Sequence, residues 1–84
     1  MAIKLVFLGK LADLAGAPEM DVAAPPSGSL DWDGLLRALH GALGSAVREP
    51  RIRLAVNGKV LTDKTALAAA EGDEVALLPP VSGG

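Results

Sequence analysis

The 84-residue chain is long enough for one small domain with a single core, and too short for a deep catalytic cavity with its own walls. Its formal net charge is −2 and its basic residues are spread along the chain, so we expect no nucleic-acid binding. The chain contains no cysteine, which excludes disulfides, thiolate metal sites and cysteine nucleophiles.

The N-terminal segment predicts a strand rather than a targeting sequence. Residues 3 to 8 alternate, with Ile3, Leu5 and Phe7 on one face, as a strand with one buried side requires. The uninterrupted apolar run, Leu5 to Leu8, is too short for a signal peptide or a membrane span. We therefore expect a cytoplasmic protein that does not insert into membranes.

The next two segments predict a connector and a second strand. Residues 9 to 16 are bounded by glycines, which favours one turn of helix at most. Residues 19 to 23 alternate, with Met20 and Val22 facing inward, and Pro25-Pro26 ends the run. We expect this strand to be antiparallel to the first if the two pair.

One amphipathic helix is predicted from about Trp32 to about Leu43. Asp31 is placed to cap the helix by accepting a hydrogen bond from an amide of the first turn, and Gly44 is the expected stop. The apolar residues of the helix form a single stripe that would face the core: Trp32, Leu35, Leu36, Leu39 and Leu43.

The C-terminal half predicts a hairpin and a last strand. Residues 51 to 56 alternate, and Asn57-Gly58 is the strongest short hairpin signal in the chain, with Val60-Leu61 as the returning strand. Residues 62 to 70 are weakly patterned, which indicates a loop with a helical turn. A last strand is expected from Glu74 to Leu78.

This order of elements is that of a β-grasp fold, which belongs to the α+β class. We expect a mixed sheet of four to five strands crossed by one main helix, with the first and last strands side by side and parallel. Other α+β orders are also compatible with the pattern. Because no repeat or low-complexity linker interrupts the chain, residues 1–84 are interpreted as one domain with a flexible arm at residues 79–84.

The end of the chain predicts an extended arm with a sterically bare carboxylate. Pro79 and Pro80 fix φ and supply no backbone donor, so the chain can neither continue a central strand nor form a helix there. Gly83-Gly84 can pass through a gap that admits only backbone. Ordinary terminal fraying is the alternative, but fraying would not require a stiff Pro-Pro spacer. We interpret the arm as a carrier whose terminal carboxylate reacts.

No resident catalytic or metal site is indicated by the remaining residues. His40 is the single histidine and lies beside the apolar stripe, where a rim position is more common than a metal ligand or a catalytic base. Asp31 and Asp33 fit the start of a helix better than a pair of catalytic carboxylates. The chemistry is therefore expected at the arm, with the other catalytic groups supplied by a partner.

The outward face of the predicted sheet is apolar, whereas a face that meets only water is usually polar. The simplest alternative is that a few aliphatic residues on a sheet have no special role. We favour a protein-docking surface beside the arm. Its predicted members are Leu78, Ala76, Leu8, Val6 and Ala55.

The C-terminal sequence resembles that of the small, sulfur-carrier subunit of molybdopterin synthase, a MoaD-like family of ubiquitin-like β-grasp proteins. The likeness rests on the acidic turn, the strand, Pro-Pro-Val-Ser and Gly-Gly of residues 71–84. The Val56-Asn57-Gly58 turn and the segment from Leu11 to Gly16 fit the same family, so the resemblance covers essentially the whole chain. The chain departs from the family at Leu77-Leu78, where aromatic residues often precede Pro-Pro, and at Ala12-Asp13-Leu14 in the connector.

The resemblance implies a cycle centred on Gly84. In the family, an E1-like enzyme uses ATP to adenylate the terminal glycine, and a sulfur donor protein then converts it to a thiocarboxylate. The arm enters a pocket of the large synthase subunit, in a heterotetramer, and gives its sulfur to cyclic pyranopterin monophosphate during molybdenum cofactor biosynthesis. This chain would bind no cofactor. The residues implied to thread into the partner are Gly83, Ser82, Val81, Pro80 and Pro79.

Other functions fit the same arm. A sulfur carrier for thiazole synthesis, cysteine synthesis or tRNA thiolation would use the same chemistry, although thiazole carriers tend to be shorter and usually lack Pro-Pro before the diglycine. A protein modifier would instead join Gly84 to a lysine of a target through an isopeptide bond. A plain interaction domain with an unused tail is the third alternative.

Overall fold

The structure is a computed structural model that describes residues 2–80. The first strand, β1, spans Ala2–Phe7, and its alternation is confirmed because Ile3, Leu5 and Phe7 are buried. The helix α1 follows at Lys10–Ala15 and is longer than the single turn expected between its flanking glycines. Leu11 of α1 is fully buried, so contact with the core stabilises a helix that is too short to be stable alone.

The strand β2, Glu19–Ala23, pairs with β1 in the antiparallel orientation that the sequence predicts. It forms one edge of the main sheet. Met20 lies opposite Leu5 of β1 and therefore on the side of the core, yet it is exposed. The inward position predicted for Met20 is thus not a buried one, because an edge strand has a neighbour on one side only.

The apolar stripe predicted one continuous helix, and this prediction is wrong. The chain forms two helices, α2 at Trp32–Ala38 and α3 at Gly41–Val47, separated by extended backbone at Leu39 and His40. Gly44, the expected stop, lies inside α3. A Cβ atom at this position would lie 2.6 Å from the carbonyl oxygen of Leu39, so only glycine allows this close approach of α3 to the end of α2.

The predicted cap of α2 is confirmed. The Oδ1 atom of Asp31 accepts a hydrogen bond from the backbone N–H of Gly34 at 2.8 Å. Asp31 also ends a strand that the sequence did not predict, β3 at Ser29–Asp31. A strand of three residues is too short to show a period of two, so the sequence pattern does not reveal it.

The hairpin predicted at Asn57-Gly58 is confirmed. It joins β4, Arg53–Val56, to β5, Lys59–Val60, and the two strands pair antiparallel. Both turn residues have positive φ, 50° for Asn57 and 86° for Gly58, as a two-residue type I′ turn requires. The turn chemistry therefore determines the register of this hairpin.

The segment that follows the hairpin combines a helical turn with a further strand. A 3₁₀ turn spans Lys64–Ala66, as expected, and β6 spans Ala68–Ala70. β6 pairs antiparallel with β3 to form a separate two-stranded sheet. The strand was missed because its residues are all alanine, which carries little preference for strands.

The last strand, β7, spans Glu74–Leu78 and occupies the centre of the main sheet. In the described part of the chain this sheet has five strands in the order β2-β1-β7-β4-β5. β7 is parallel to β1 and antiparallel to β4, so the sheet is mixed and the predicted β-grasp fold is confirmed. The correction concerns the single main helix, because residues 2–80 hold three short α-helices instead.

The core lies between one face of the main sheet and the helices. None of the helices in residues 2–80 is long or apolar enough to cross a membrane, and α2 and α3 have seven residues each. The fully buried large side chains come from both layers: Ile3, Leu5, Leu11, Leu35, Val47, Ile52, Leu54, Val75 and Leu77.

Candidate functional site

The C-terminal arm begins where β7 ends. β7 is held on both sides, since Leu77 lies opposite Phe7 of β1 and Leu78 lies opposite Arg53 of β4. The next residue, Pro79, is half-buried, and Pro80 is exposed. The central strand of the sheet therefore supplies a firm base for the arm. The four remaining residues predicted for the arm lie outside the described part of the chain: Val81, Ser82, Gly83 and Gly84.

The face of the main sheet opposite the helices, hereafter the open face, runs alongside this base. One row of residues crosses the sheet in register and is apolar over four strands: Val60, Ala55, Ala76 and Val6. Leu78 follows Ala76 by two residues and lies on the same face. The structure therefore brings the predicted docking residues together at the end of the sheet from which the arm leaves.

Exposure differs among the predicted docking residues. The side chain of Leu8 is 43% exposed, and those of Val6, Ala76 and Leu78 are partly exposed. Ala55 is a correction, because only 5% of it is exposed. It is short and lies between Val60 and Ala76 on the neighbouring strands, so it forms the floor of the open face and not a contact of its own.

Val60 is a member of the open face that the sequence prediction missed. Its side chain is 54% exposed, the largest fraction among the large hydrophobic residues of the described chain that are exposed. The hairpin register could have revealed it, since a two-residue turn at Asn57-Gly58 places Val60 opposite Ala55.

The other end of the open face is charged. Lys4 lies opposite Asp21 on β2 and Glu74 on β7, and its ammonium is 3.8 Å from the carboxylate of Glu19. This ion pair is about half exposed, so water and salt screen it. The open face therefore carries Lys4, Asp21 and Glu74 at the start of β7 and the apolar row nearer the arm, where Arg53 lies opposite Leu78 and Glu19 opposite Val6.

A polar cluster fixes the start of β7. The amide of Asn57 donates to Asp73 Oδ1 at 3.1 Å, and Asn57 Oδ1 accepts from the backbone N–H of Glu74 at 3.0 Å. The other carboxylate oxygen of Asp73 accepts from the Ala70 N–H at 2.9 Å. These bonds to the ionised form lower the pKa of Asp73, with the backbone bond from Ala70 the larger cause. The cluster joins the hairpin turn to the turn before β7.

Lys64 has a structural role. Its ammonium donates to the carbonyl oxygens of Val47, Glu49 and Ile52, and it lies 5.6 Å from the centre of the Trp32 ring. Partial burial lowers the pKa of Lys64, and the nearby Glu49 carboxylate opposes this shift. Because the ammonium is used to bind the chain after α3, it is not available as a nucleophile.

The other residues considered as chemical groups are not brought together. His40 is exposed at the start of α3, and Asp31 serves as the helix cap described above. Asp33 lies in the first turn of α2. Within residues 2–80, no group of three or more His, Cys, Asp or Glu side chains could hold a metal ion.

Comparisons with known proteins agree with this architecture. The family model described as ThiS family matches residues 5–84. A curated relative, the molybdopterin synthase sulfur carrier subunit of Anopheles gambiae, is 29% identical over 83 residues, which cover 98% of this chain and 91% of the relative.

Solved structures share the fold over the full length. SAMP1, a small archaeal modifier protein, from Haloferax volcanii is 29% identical with a TM-score of 0.75, and the match covers 100% of both chains. A chain from the complex of subunits 1 and 2 of the molybdopterin-converting factor of Helicobacter pylori is 23% identical with a TM-score of 0.65, again over 100% of both chains. The likeness to the Helicobacter pylori chain shows the fold alone. On the family match, which covers nearly all of the sequence, the chain belongs to the ThiS family of ubiquitin-like sulfur carriers.

Proposed function

We propose that this chain is the sulfur-carrier subunit of a molybdopterin synthase. Its terminal residue, Gly84, would be adenylated by an E1-like enzyme with ATP and converted to a thiocarboxylate. The arm, now carrying sulfur as a thiocarboxylate, would then deliver the sulfur to cyclic pyranopterin monophosphate inside the large subunit. The observation that carries this proposal is the firm base of the arm, since the central strand of the sheet leads directly into Pro79-Pro80 beside an apolar face.

Two findings support cyclic pyranopterin monophosphate over the other sulfur acceptors that such a carrier could serve. The curated relative that matches nearly the whole chain is described as a molybdopterin synthase sulfur carrier subunit. The sequence also has Pro79-Pro80 before the diglycine, which thiazole carriers usually lack.

The chemistry requires activation because a free α-carboxyl group has a pKa of about 3.3–3.7 and is an unreactive anion at neutral pH. Attack of the carboxylate of Gly84 on the α-phosphate of ATP gives an acyl-adenylate and releases pyrophosphate. A hydrosulfide ion supplied by the sulfur donor forms a carbon–sulfur bond at the acyl carbon, and AMP leaves. Loss of the sulfur-bound proton gives the thiocarboxylate.

Delivery returns the arm to its starting state. The thiocarboxylate sulfur forms a bond to a carbon of the pterin precursor while a carbon–oxygen bond at that carbon breaks, and the oxygen leaves as water or stays on the phosphate group. Carrier and acceptor are then linked through an acyl–sulfur bond. Water then cleaves that bond, so sulfur stays on the acceptor and Gly84 recovers its carboxylate. No side chain of residues 2–80 is required as acid or base, which fits a carrier whose catalytic groups belong to its partners.

The globular part would contribute docking. Leu78, Ala76, Leu8 and Val6 form an apolar surface next to the base of the arm, and Val60 extends it. Contact of this surface with the large subunit would place the arm at its pocket before insertion. The two prolines would reduce the conformational entropy that the arm loses on entering.

The charging step can be tested by mass spectrometry. After incubation with an E1-like enzyme, ATP and a sulfur donor, the intact chain should gain the mass of one sulfur in place of one oxygen, located at Gly84. The matched control carries one extra residue after Gly84 and has the same folded body. This control should not be converted to the thiocarboxylate. An equal mass change in both proteins would rule out the mechanism that requires a free carboxylate at Gly84.

The identity of the sulfur acceptor can be tested separately. Thiocarboxylated chain mixed with a large synthase subunit and cyclic pyranopterin monophosphate should yield the dithiolene product and the original carboxylate. If the thiocarboxylate forms but no dithiolene is produced, the chain is a sulfur carrier whose sulfur acceptor lies outside molybdenum cofactor biosynthesis.

A second candidate function is protein modification. The observation that favours it is the full-length likeness to SAMP1, a small archaeal modifier protein, at 29% identity. In this reaction a lysine ε-amine of a target would displace AMP from the acyl-adenylate and form an isopeptide bond. Immunoblots of cells should then show higher-mass conjugates that disappear when Gly84 is deleted, and their absence would remove this candidate.

A further inference from the structure

The turn between β1 and α1 touches the base of the arm. Gly9 lies in this turn with φ 57° and ψ −132°, a backbone conformation that is essentially restricted to glycine. A Cβ atom at Gly9 would lie 3.3 Å from Cγ of Pro79, closer than ordinary van der Waals contact. The missing side chain of Gly9 thus leaves the space into which the proline ring packs.

Gly9 differs from the other left-handed glycines of residues 2–80. At each of those positions an added Cβ would meet no atom within 4 Å. These glycines therefore serve their own turns, whereas Gly9 also serves a distant part of the chain. The positions with positive φ and open space are Gly16, Gly28, Gly41, Gly58 and Gly72.

The strand pairing of β7 ends at the base of the arm. The Leu8 N–H donates to the carbonyl oxygen of Leu77 at 3.4 Å, just beyond the paired residues of β1. Pro79 has no N–H and cannot extend the pairing. Its ring is half-buried while Pro80 is exposed, so the burial of the arm decreases immediately after the contact with Gly9.

We propose that Gly9 is a positioning residue that sets the direction in which the arm leaves the domain. The bare backbone of Gly9 forms a seat for the Pro79 ring, and a Cβ atom at residue 9 would require the ring to shift by a few tenths of an ångström. The contact stands independently of what the arm carries, but its importance for activity rests on the proposed carrier function.

Direction matters because the arm is short. The five residues after Pro79 can span at most about 18 Å, so the direction in which the chain leaves Pro79 limits where the reacting carboxylate can be placed. Group transfer depends on placing the reacting atom to within about 1 Å. A carrier with a displaced arm would dock normally and transfer slowly.

The test compares glycines at the two ends of the same helix. Gly9 precedes α1 and Gly16 follows it, both have positive φ, and only Gly9 touches the arm. Gly9→Ala and Gly16→Ala should both lower the unfolding midpoint in urea. Single-turnover sulfur transfer to the partner should fall about tenfold for Gly9→Ala alone, with the Kd for docking unchanged within about twofold.

A double variant separates arm direction from backbone strain. Pro79→Ala removes the Cγ atom that a side chain at residue 9 would strike. In the Gly9→Ala, Pro79→Ala chain, transfer should recover to the level of Pro79→Ala, while the loss of stability caused by the strained φ persists. Equal transfer by Gly9→Ala and Gly16→Ala, or no recovery in the double variant, would overturn the proposal.

A structural measurement decides the matter without any sulfur chemistry. In wild-type protein, NMR should show a nuclear Overhauser effect between the Gly9 Hα protons and the Pro79 ring, and Gly9→Ala should abolish it. If the nuclear Overhauser effect is present but the wild-type chain is never converted to the thiocarboxylate, the Gly9–Pro79 contact is supported and the carrier function is rejected. If the thiocarboxylate forms and the effect is absent, the carrier function is supported and the contact is rejected.

Discussion

The two ends of β7 are held in different ways. At its start, Asn57 and Asp73 exchange hydrogen bonds with each other and with the backbone of Ala70 and Glu74. At its end, β7 pairs with both neighbours, since Leu77 lies opposite Phe7 and Leu78 opposite Arg53, and the Pro79 ring then packs against Gly9. Polar side chains thus fix one end, and burial and shape fix the other.

This difference fits a strand whose register is fixed in the sheet and whose C-terminal extension has to enter a partner. Directional hydrogen bonds at the start determine the register of β7 between its neighbours. At the end, Pro79 and Pro80 have no backbone N–H and donate no hydrogen bond to the body. A partner pocket that binds the arm would therefore not have to break such bonds. The body therefore anchors the base of the arm at Pro79.

The strongest test of this comparison removes the burial that holds the exit end. Leu77 is fully buried in the core, so Leu77→Ala should lower the free energy of unfolding by about 2–5 kcal/mol. Urea denaturation followed by circular dichroism measures the change. The loss should exceed that of any substitution in the polar cluster at the other end.

Leu78→Ala is the matched control for that variant. It changes the same type of residue one position later, on the open face, where the side chain is only partly buried. We expect a cost of about 1 kcal/mol or less. Equal costs for the two variants would mean that packing under β7 does not hold the exit end.

The second test breaks function at the exit end and leaves the fold intact. Leu78→Asp places a charge in the apolar part of the open face, so binding to a large synthase subunit should weaken at least about tenfold in titration calorimetry. Glu74→Ala, on the same face at the charged end of β7, should change the Kd far less. Unchanged affinity for Leu78→Asp would place the docking surface elsewhere.

The third test breaks the polar cluster at the start of β7. Asn57→Gly keeps the positive φ and removes the side-chain bonds, so it should cost about 1 kcal/mol of stability. Asn57→Ala loses the same bonds and also strains the backbone, so it should cost about 1 kcal/mol more. If the two variants were equally stable, the turn conformation would not contribute to the position of β7.

The sequence predicted the main sheet well because its strands carry strong local patterns. Alternation identified β1, and the Asn57-Gly58 turn identified the hairpin, although its returning strand is Lys59–Val60 and not the predicted Val60-Leu61. The parallel pairing of the first and last strands followed from the order of elements. These features are written in neighbouring residues, which is why they can be read without a structure.

The errors arose where distant contacts override local pattern. The apolar stripe continued through Leu39, but extended backbone at Leu39 and His40 separates α2 from α3, and Gly44 allows the two helices to approach closely. Ala55 was placed on the correct face and is nevertheless covered by its neighbours in the sheet. The contact between Gly9 and Pro79 joins residues that are far apart in sequence, and no spacing rule could reveal it.

The smallest expected effect is a change in the pH dependence of stability. Hydrogen bonds from Ala70 and Asn57 hold the pKa of Asp73 below its usual value of 3.8. A carboxyl group whose folded pKa is depressed stabilises the fold above the unfolded pKa and loses this contribution as pH falls through the folded value. The stability difference between wild type and Asp73→Asn should therefore be full near about pH 6 and shrink below about pH 3.8.

Asp63→Asn is the companion variant, because bonds from Thr65 also lower the pKa of Asp63. Both variants should reduce acid sensitivity in urea denaturation, but they act at different places. The Glu74 N–H donates to Asn57, so its hydrogen exchange should accelerate in Asp73→Asn and stay unchanged in Asp63→Asn. Equal exchange in the two variants would show that Asp73 does not hold the start of β7, and the contrast between the two ends of the strand would be lost.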